Sequence, residues 1–205
     1  FSIDGIFLDF RSFQIHFQEL SRFYDGDELP PPVDVWTFRD YVTASATAGA
    51  RAAAQRDLAW WRSRLDSFSQ PPRLPLRAAP ESIAAPRMRR LELRLDRREW
   101  AQIVSRLDAL GVTPAVFMLT VYADVLSLWS EVPSFAVNVP IFNRPRLHAD
   151  IDRVIGNFSS FVLIDFDYSV ACGFVERLLG VRARLAAAMA HASTSGVSVL
   201  RELYR

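Results

Sequence analysis

The sequence predicts a mixed α/β or α+β fold, because segments with strand-like alternation are interleaved with segments of helical periodicity. Half of the 205 residues are hydrophobic, so the chain can bury a sizeable core. A proline-rich stretch at residues 68–86 cannot be regular helix and is interpreted as an ordered linker between two groups of elements.

The N-terminal segment predicts a strand followed by a helix. Residues 1–8 are mostly apolar and are interpreted as a strand, with a bulge or a close backbone approach at Gly5. From Phe13 onward the apolar residues recur at spacings of three and four, which is typical of one helical face. Ser12 stands immediately before that run and is the predicted N-cap. The helix is expected to end in the turn and linker at residues 24–32.

The middle of the chain predicts two helical segments and one strand. Residues 35–65 form a long helical stretch with a possible break near Gly49. Residues 88–96 alternate apolar and charged side chains and predict a strand. A helix over residues 97–111 is expected to end at Gly111.

The remaining sequence predicts a helix, two strands and a final helix. Thr113 suits an N-cap and Pro114 the first helical position. The helix that follows is apolar on nearly all sides, so it is predicted to be buried. Strands are expected at residues 135–142 and 158–167. A long helix is expected at residues 170–192.

Composition argues against several kinds of partner and location. The formal net charge is +1 without a basic stripe, which argues against nucleic acid. The single cysteine, Cys172, cannot build a disulfide framework or a thiolate metal site. The apolar runs are too short to span a bilayer and no signal-peptide layout is visible. We therefore expect a cytoplasmic protein with no membrane partner.

Common catalytic motifs are not found in the sequence. His16, His148 and His191 are not at metal-ligand spacing, so no metal is expected. The chain carries neither a glycine-rich phosphate loop nor a G-x-S-x-G elbow. A conventional hydrolase, kinase or dehydrogenase is therefore poorly supported.

Two acids and a hydroxyl near the N-terminus form the most distinctive polar pattern. Asp4 and Asp9 are five residues apart, which places them on opposite faces of a strand unless a bulge resets the register. This geometry disfavours a general acid/base dyad, which needs both carboxyl groups on one substrate. An acid at the end of a buried strand must instead be hydrogen-bonded or ion-paired, and Ser12 can cap the helix that follows.

The same pattern, Asp4-x4-Asp9-x2-Ser12, resembles the D-x-x-x-x-D-x-x-S motif of heterocyclization domains of nonribosomal peptide synthetases. Ordinary condensation domains carry an H-H-x-x-x-D-G motif at the matching place. Asp4 then stands where their first histidine would be, and Asp9 stands where the aspartate of their motif would be.

Four further segments resemble the same family in order and spacing. Residues 113–130 resemble T-P-x-x-x-L-x-x-x-Y-x-x-V-L-x-x-W-S, with methionine for the first leucine. Residues 138–144 resemble N-V-P-x-F-N-R. Residues 156–164 resemble G-D-F-T-x-L-x-L-L, with asparagine for the aspartate and serine for the threonine. Residues 68–76 keep part of an L-P-x-x-P-x-L-P-L pattern. Together these segments cover nearly the whole chain.

The resemblance implies a chloramphenicol-acetyltransferase-like fold of two lobes around a tunnel, present here in part. Residues 1–67 would be the end of the N-terminal lobe. Residues 68–86 would be the linker between lobes, and residues 87–205 the first part of the C-terminal lobe. Complete domains of this family are roughly twice as long, so we expect the chain to be a fragment and the fragment alone to be inactive.

The resemblance also implies a two-stage reaction. The amine of a cysteinyl, seryl or threonyl thioester attacks an upstream acyl thioester, and the side-chain thiol or hydroxyl then closes on the new amide with loss of water. The product is a thiazoline or oxazoline. No cofactor would be bound directly, since both substrates arrive on 4'-phosphopantetheine arms of peptidyl or aryl carrier protein domains. Adjacent synthetase domains are the other expected partners.

Site residues follow from the matched motifs. Asn138, expected at the end of a buried strand, is the first candidate for stabilising the oxyanion during ring closure, with Asn143 as a substitute. Arg144 is expected to pair with Asp9, which makes the Asp4, Asp9, Ser12 and Arg144 set mainly structural. The remaining candidates, for lining the tunnel, are Asn143, Asn157 and Ser159. A threonine and an aspartate that serve dehydration in the family are expected beyond Arg205.

Two alternatives remain at this point. One is an ordinary or degenerate condensation domain that forms only the amide, for which the asparagine and serine at positions 157 and 159 leave room. The other is a non-catalytic platform that docks carrier proteins. Aspartate at position 4 favours cyclization, because histidine there would favour plain condensation.

Overall fold

The computed structural model describes residues 5–28, 36–85 and 87–204. In these ranges the chain forms seven α-helices and two β-strands. In chain order they are α1 (Phe10–Tyr24), α2 (Phe38–Ser45), α3 (Ala48–Leu65), α4 (Arg97–Ala109), α5 (Pro114–Trp129), β1 (Ser134–Phe142), β2 (Ser159–Asp167), α6 (Phe174–Ala190) and α7 (Gly196–Leu203). Short 3-10 turns occupy Pro80–Ser82 and Ile151–Arg153.

The elements fall into two compact units, neither of which is continuous in sequence. Unit 1 combines Phe1–Ser67, Asn138–Leu163 and Met189–Arg205, and unit 2 combines Phe68–Val137 and Ile164–Ala188. The expected division into lobes at residues 67 and 87 stays a prediction.

Helix α1 begins at Phe10 because Asp9 caps it. The Asp9 backbone is extended, and its carboxylate accepts a hydrogen bond from the backbone N–H of Ser12. The prediction of Ser12 as the N-cap is therefore wrong, since Ser12 lies in the first turn of the helix. The strand prediction over residues 1–8 also fails where it can be checked, because the chain makes a turn at residues 5–7 before reaching the cap. Residues 1–4 lie outside the described ranges.

The long helical stretch predicted at residues 35–65 is two helices. A capping box between Thr37 and Asp40 starts α2. The chain breaks at Ala46 and Thr47, slightly before the expected position, because the Thr47 side chain caps α3 by accepting from the backbone N–H of Ala50. Gly49 lies within the first turn of α3.

The core of unit 1 is an aromatic and aliphatic cluster. Ile151, Val154 and Phe158 are buried, and the aromatic rings of the segment that starts α2 pack against them. These rings belong to Trp36, Phe38 and Tyr41. Trp61 of α3 is also buried in this unit.

Unit 2 contains α4 and α5. Asp96 and Glu99 form a capping box at the start of α4. Its end is fixed by Gly111, whose φ of 61° lies in the left-handed region that favours glycine. Thr113 caps α5 and Pro114 is its first residue, as predicted.

Helix α5 is buried on one side only. Val116, Thr120 and Ala123 are buried, whereas the opposite side is open to solvent in the structure. Its exposed side chains are Met118, Tyr122, Val125, Leu128 and Trp129. The prediction of a helix buried all round is therefore wrong, because an apolar helix surface becomes buried only where another element packs on it.

The strand predicted at residues 88–96 is not formed. Within the described ranges, residues 87–96 pair with no other strand. Met88, Leu91 and Leu93 are more than four-fifths exposed there. Alternation marks a sequence suited to a half-buried strand, but a strand also needs a neighbour for its backbone hydrogen bonds. The segment at residues 68–85 has the expected non-helical character apart from its one 3-10 turn.

Strands β1 and β2 confirm two predictions and pair in antiparallel register. In unit 1 the N–H of Asn143 donates to the carbonyl of Phe158, and in unit 2 the N–H of Tyr168 donates to the carbonyl of Pro133. The start of one strand therefore lies beside the end of the other.

The last predicted helix is shorter than expected and a further helix follows it. Helix α6 begins at Phe174, so residues 170–173 lie before it. Helix α7 is capped by Ser195 and packs against α3 in unit 1. The sequence interpretation missed α7, which is only 8 residues long.

A polar cluster in unit 2 joins α5, the end of β2 and α6. The Tyr168 hydroxyl donates to the Asp124 carboxylate over 2.8 Å, and the Arg177 guanidinium lies 2.9 Å from the same carboxylate. Burial raises the pKa of Tyr168, and the hydrogen bond to Asp124 raises it further. The hydroxyl therefore stays protonated and remains a donor.

In the described ranges, no single helix has the length and apolarity needed to cross a membrane. Only α4 and α5 taken together pass such a test, and they are bent by 102° at the break between them.

Candidate active site

The Asp9 carboxylate is the centre of the polar network in unit 1. Its side chain is fully buried, and one oxygen, Oδ1, accepts from the backbone N–H of Ser12 over 2.7 Å. The Asp9 backbone N–H donates to the carbonyl of Gly156 over 3.2 Å. Asp9 therefore both caps α1 and links the start of this helix to the segment before β2.

Arg144 supplies the counter-charge. Its Nη2 lies 2.9 Å from Oδ1 and 3.0 Å from Oδ2 of Asp9, and its Nε lies 3.2 Å from Oδ2. The second terminal nitrogen, Nη1, donates to the carbonyls of Ile151 and Val154, each at 2.8 Å. The guanidinium also lies over the Phe158 ring at 4.1 Å. The ion pair expected between Arg144 and Asp9 is present in the structure.

Ser12 connects this pair to Gly156. The hydroxyl donates to the Gly156 carbonyl over 2.8 Å and accepts from the Gly156 N–H over 3.0 Å. Arg144 also donates to this hydroxyl over 2.9 Å. Ser12 is fully buried. A hydroxyl is used as acceptor and donor at once, which explains why a purely apolar or purely acceptor side chain would not fit here.

Gly156 is a site residue that the sequence interpretation missed. A Cβ at this position would overlap the aromatic ring of Phe38. The backbone can therefore approach both Ser12 and the ring only because no side chain is present. The matched segment at residues 156–164 begins with this glycine, so the motif itself could have indicated it.

The electrostatics of the site favour an ionised Asp9. Burial raises the pKa of Asp9, but the hydrogen bonds from Arg144 and Ser12 and the arginine charge together hold it below its ordinary value. The carboxylate is thus a fixed anion paired with a fixed cation. It is not poised to exchange protons near neutral pH, which agrees with the interpretation of the Asp9 motif as structural.

The lowered pKa of Asp9 predicts an acid-dependent loss of stability. A depressed carboxyl pKa contributes stability above the ordinary value of 3.8 that is lost as the pH falls through the lowered value. We expect the unfolding free energy to fall below about pH 4 with a steeper slope in the natural protein than in Asp9→Asn. Urea unfolding at several pH values measures both slopes, and equal slopes would contradict the assignment.

Asn138 is not where the sequence interpretation placed it. It lies in the middle of β1 and is exposed, whereas the end of a buried strand had been expected. Proline at position 140 and Phe142 lie on the same face, and Phe10 of α1 stacks on Phe142 at 6.3 Å. Asn138 is four residues from Phe142, about 13 Å along a strand. Among the described contacts, none joins the Asn138 amide to the Asp9 turn.

The other predicted site residues have mixed placements. Asn143 is partly buried, and its side-chain amide donates to the carbonyl of Ala192 over 3.0 Å. It also lines a cavity of about 410 Å³ beside α2 and α3. Ser159 is exposed at the start of β2. The Asn157 amide contacts the segment before Asp9. Asp4 lies outside the described residues.

No metal site is apparent in the part of the chain that the structure describes, where no three His, Cys, Asp or Glu side chains are arranged to hold an ion.

Comparison with known proteins identifies the family. The condensation domain family matches residues 3–201. The chain belongs to this family. The resemblance drawn from the motifs is thereby confirmed at the level of the condensation domain.

Two relatives of this condensation domain are named as a synthetase and a synthase. Pyochelin synthetase PchF of Pseudomonas aeruginosa strain UCBPP-PA14 is 35% identical over 205 residues, which are 100% of this chain and 11% of that protein. Phenyloxazoline synthase MbtB of Mycobacterium tuberculosis strain H37Rv is 35% identical over 199 residues, which are 96% of this chain and 14% of that protein.

A solved structure confirms the fold prediction. The EpoB NRPS cyclization-docking bidomain from Sorangium cellulosum superposes with a TM-score of 0.88 at 33% identity. The match covers 99% of this chain and 41% of that one. The mixed helix and strand content and the chloramphenicol-acetyltransferase-like fold expected for the family are therefore confirmed. The chain spans well under half the length of each of these proteins.

Proposed function

We propose that the protein containing this condensation domain is a nonribosomal peptide synthetase component that forms an amide and then closes it to a thiazoline or oxazoline. The observation that carries the proposal is the Asp9–Ser12 turn, in which the acid and the hydroxyl of the cyclization motif are both buried and both bonded to Arg144. The similarity to a cyclization bidomain supports the same reading.

The first stage of the proposed reaction is condensation. The amine of the carrier-bound cysteine, serine or threonine attacks the acyl thioester carbon, the new C–N bond forms, and the carrier thiol leaves with the proton. Two tethered substrates held in one tunnel supply the orientation, so this stage needs little from side chains beyond positioning. In this proposal the buried ion pair holds the Asp9–Ser12 turn in place and takes no part in the chemistry.

The second stage is cyclodehydration. The side-chain sulfur or oxygen attacks the amide carbon, and its proton passes to the former carbonyl oxygen, which becomes a hydroxyl. This hydroxyl takes a second proton and leaves as water, while the amide nitrogen gives up its proton and the C=N bond forms. Negative charge develops on that oxygen, so a neutral amide donor stabilises the transition state. Asn138 suits this role because it projects from a rigid strand and is exposed, which leaves its amide accessible to a ligand.

The partners follow from this chemistry. Both substrates would be delivered as thioesters of 4'-phosphopantetheine on peptidyl or aryl carrier protein domains, and neighbouring synthetase domains would load those carriers. No directly bound cofactor is required by either stage, because each moves only protons and a leaving group.

Asn138→Ala is expected to lower the rate of ring formation about 10²- to 10³-fold, because one oxyanion donor is lost. Amide formation should continue, so the uncyclised amide should accumulate on the carrier. Mass spectrometry of carrier-bound products in the full-length natural protein measures both. Gln55→Ala, an exposed amide on α3, serves as the matched control.

The same assay decides between the proposal and its alternatives. A natural protein that makes only the amide would be an ordinary or degenerate condensation domain, an alternative for which the replacements at Asn157 and Ser159 leave room. A protein that makes neither product but binds loaded carriers would be a docking platform.

A further inference from the structure

Asn157 makes hydrogen bonds in two directions. Its Nδ2 donates to the carbonyl of Gly5 over 3.1 Å and to that of Ile6 over 3.4 Å. Its Oδ1 accepts from the backbone N–H of Ser159 over 3.0 Å. The orientation of the amide is determined by these partners, because carbonyls require the nitrogen and an N–H requires the oxygen.

The bonded carbonyls belong to the segment between the two acids of the cyclization motif. This segment has little apolar burial to hold it, since the side chains of Ile6 and Phe7 are about 70% exposed. The neighbouring residue, Gly156, bonds the other end of the motif through Asp9 and Ser12. Gly156 and Asn157, which are consecutive in the chain, thus contact the Asp9–Ser12 turn and residues 5–6 before it.

Asparagine at position 157 donates hydrogen bonds that the aspartate of the related motif could not donate. The matched pattern carries aspartate at this position, and an ionised carboxylate accepts hydrogen bonds but donates none. Aspartate could accept from Ser159 but would face the carbonyl oxygens of Gly5 and Ile6 without a proton between them. The donor contacts to the motif segment therefore depend on the amide of this particular chain.

We propose that Asn157 is a positioning residue that fixes the segment at residues 5–8, which leads into the Asp9–Ser12 turn, and so holds the motif in the arrangement that ring formation needs. The catalytic part of this inference rests on the proposed cyclization. Asn157 touches the motif backbone, so it acts through that segment.

The decisive variant is Asn157→Asp in the full-length natural protein, because aspartate keeps the acceptor for Ser159 and removes only the donors. Loss of these donors should raise hydrogen exchange of the backbone amides at residues 5–8 about tenfold, with exchange in α1 unchanged. The kcat of ring formation should fall while the KM for loaded carrier stays the same. Asn157→Ala should open the same segment, and it also loses the Ser159 contact.

The outcomes separate this inference from the proposed function. Unchanged exchange at residues 5–8 in both variants would overturn the positioning role whether or not rings are formed. Faster exchange with an unchanged kcat would overturn its catalytic part. If the natural protein forms no ring while Asn157→Asp still opens the segment, the proposed function fails and the structural part of the inference stands.

Discussion

Asp9→Ala is expected to destabilise the protein by about 3–5 kcal/mol, because it leaves the Arg144 guanidinium buried without its counter-charge. The two side chains are 0% and 6% exposed, so solvent cannot replace the lost carboxylate. The α1 cap is lost in the same substitution, which adds about 1 kcal/mol. Urea unfolding followed by circular dichroism measures the change, and soluble yield should fall as well.

A double-mutant cycle separates the ion pair from the cap. Arg144→Ala alone should also be strongly destabilising, and the double variant should cost less than the two single changes together. The pair of Arg62 and Glu202 provides a less buried control, since the Arg62 side chain is 55% exposed and Arg62→Ala should cost about 1 kcal/mol or less. An Asp9→Ala protein with unchanged stability would refute the structural role of this pair.

Helix boundaries were predicted correctly where the residues of a single turn determine them. Thr113 and Pro114 begin α5, and Gly111 ends the preceding helix, as their side chains and backbone preferences require. The cap of α1 was misassigned because Asp9 and Ser12 are both good caps three residues apart. The choice between them depends on contacts with residues far away in the chain. Arg144 lies 135 residues after Asp9, and Gly156 lies 144 residues after Ser12.

Periodicity predicted which faces are apolar but could not predict what covers them. Residues 88–95 alternate as a strand does, yet no neighbouring strand pairs with them within the described ranges. The open face of α5 has the same explanation. Strand pairing and helix packing are non-local, so a pattern in one segment states only what that segment could bury.

Motif resemblance predicted one contact correctly and misjudged the surroundings of another residue. It led to the Arg144–Asp9 pair, whose geometry the structure supports with three hydrogen bonds. It placed Asn138 at the end of a buried strand, although the strand predicted at residues 135–142 extends past this residue and the structure leaves its side chain exposed. A motif gives the order of residues, whereas exposure depends on which neighbours pack on them.

Trp61→Ala is expected to cost about 3–5 kcal/mol of stability in unit 1. The Trp61 side chain is 2% exposed, so its removal leaves a large cavity at the side of α3. Its indole N–H also donates to the carbonyl of His191 over 3.0 Å. Thermal unfolding of the variant measures the loss.

The effect of Trp61→Ala should extend to Asn143, because the segment after α6 is hydrogen-bonded by side chains from several parts of the chain. Asn143 bonds the carbonyl of Ala192, and Asp57 of α3 bonds the backbone N–H of Ser193. Trp61→Phe keeps one aromatic ring but loses the second ring of the indole and its N–H donor, so it should cost less than Trp61→Ala, about 1–3 kcal/mol. Faster hydrogen exchange at residues 191–194 is expected in both variants, with the larger change in Trp61→Ala. If Trp61→Phe matches Trp61→Ala in stability, the hydrogen bond rather than the packing holds this segment.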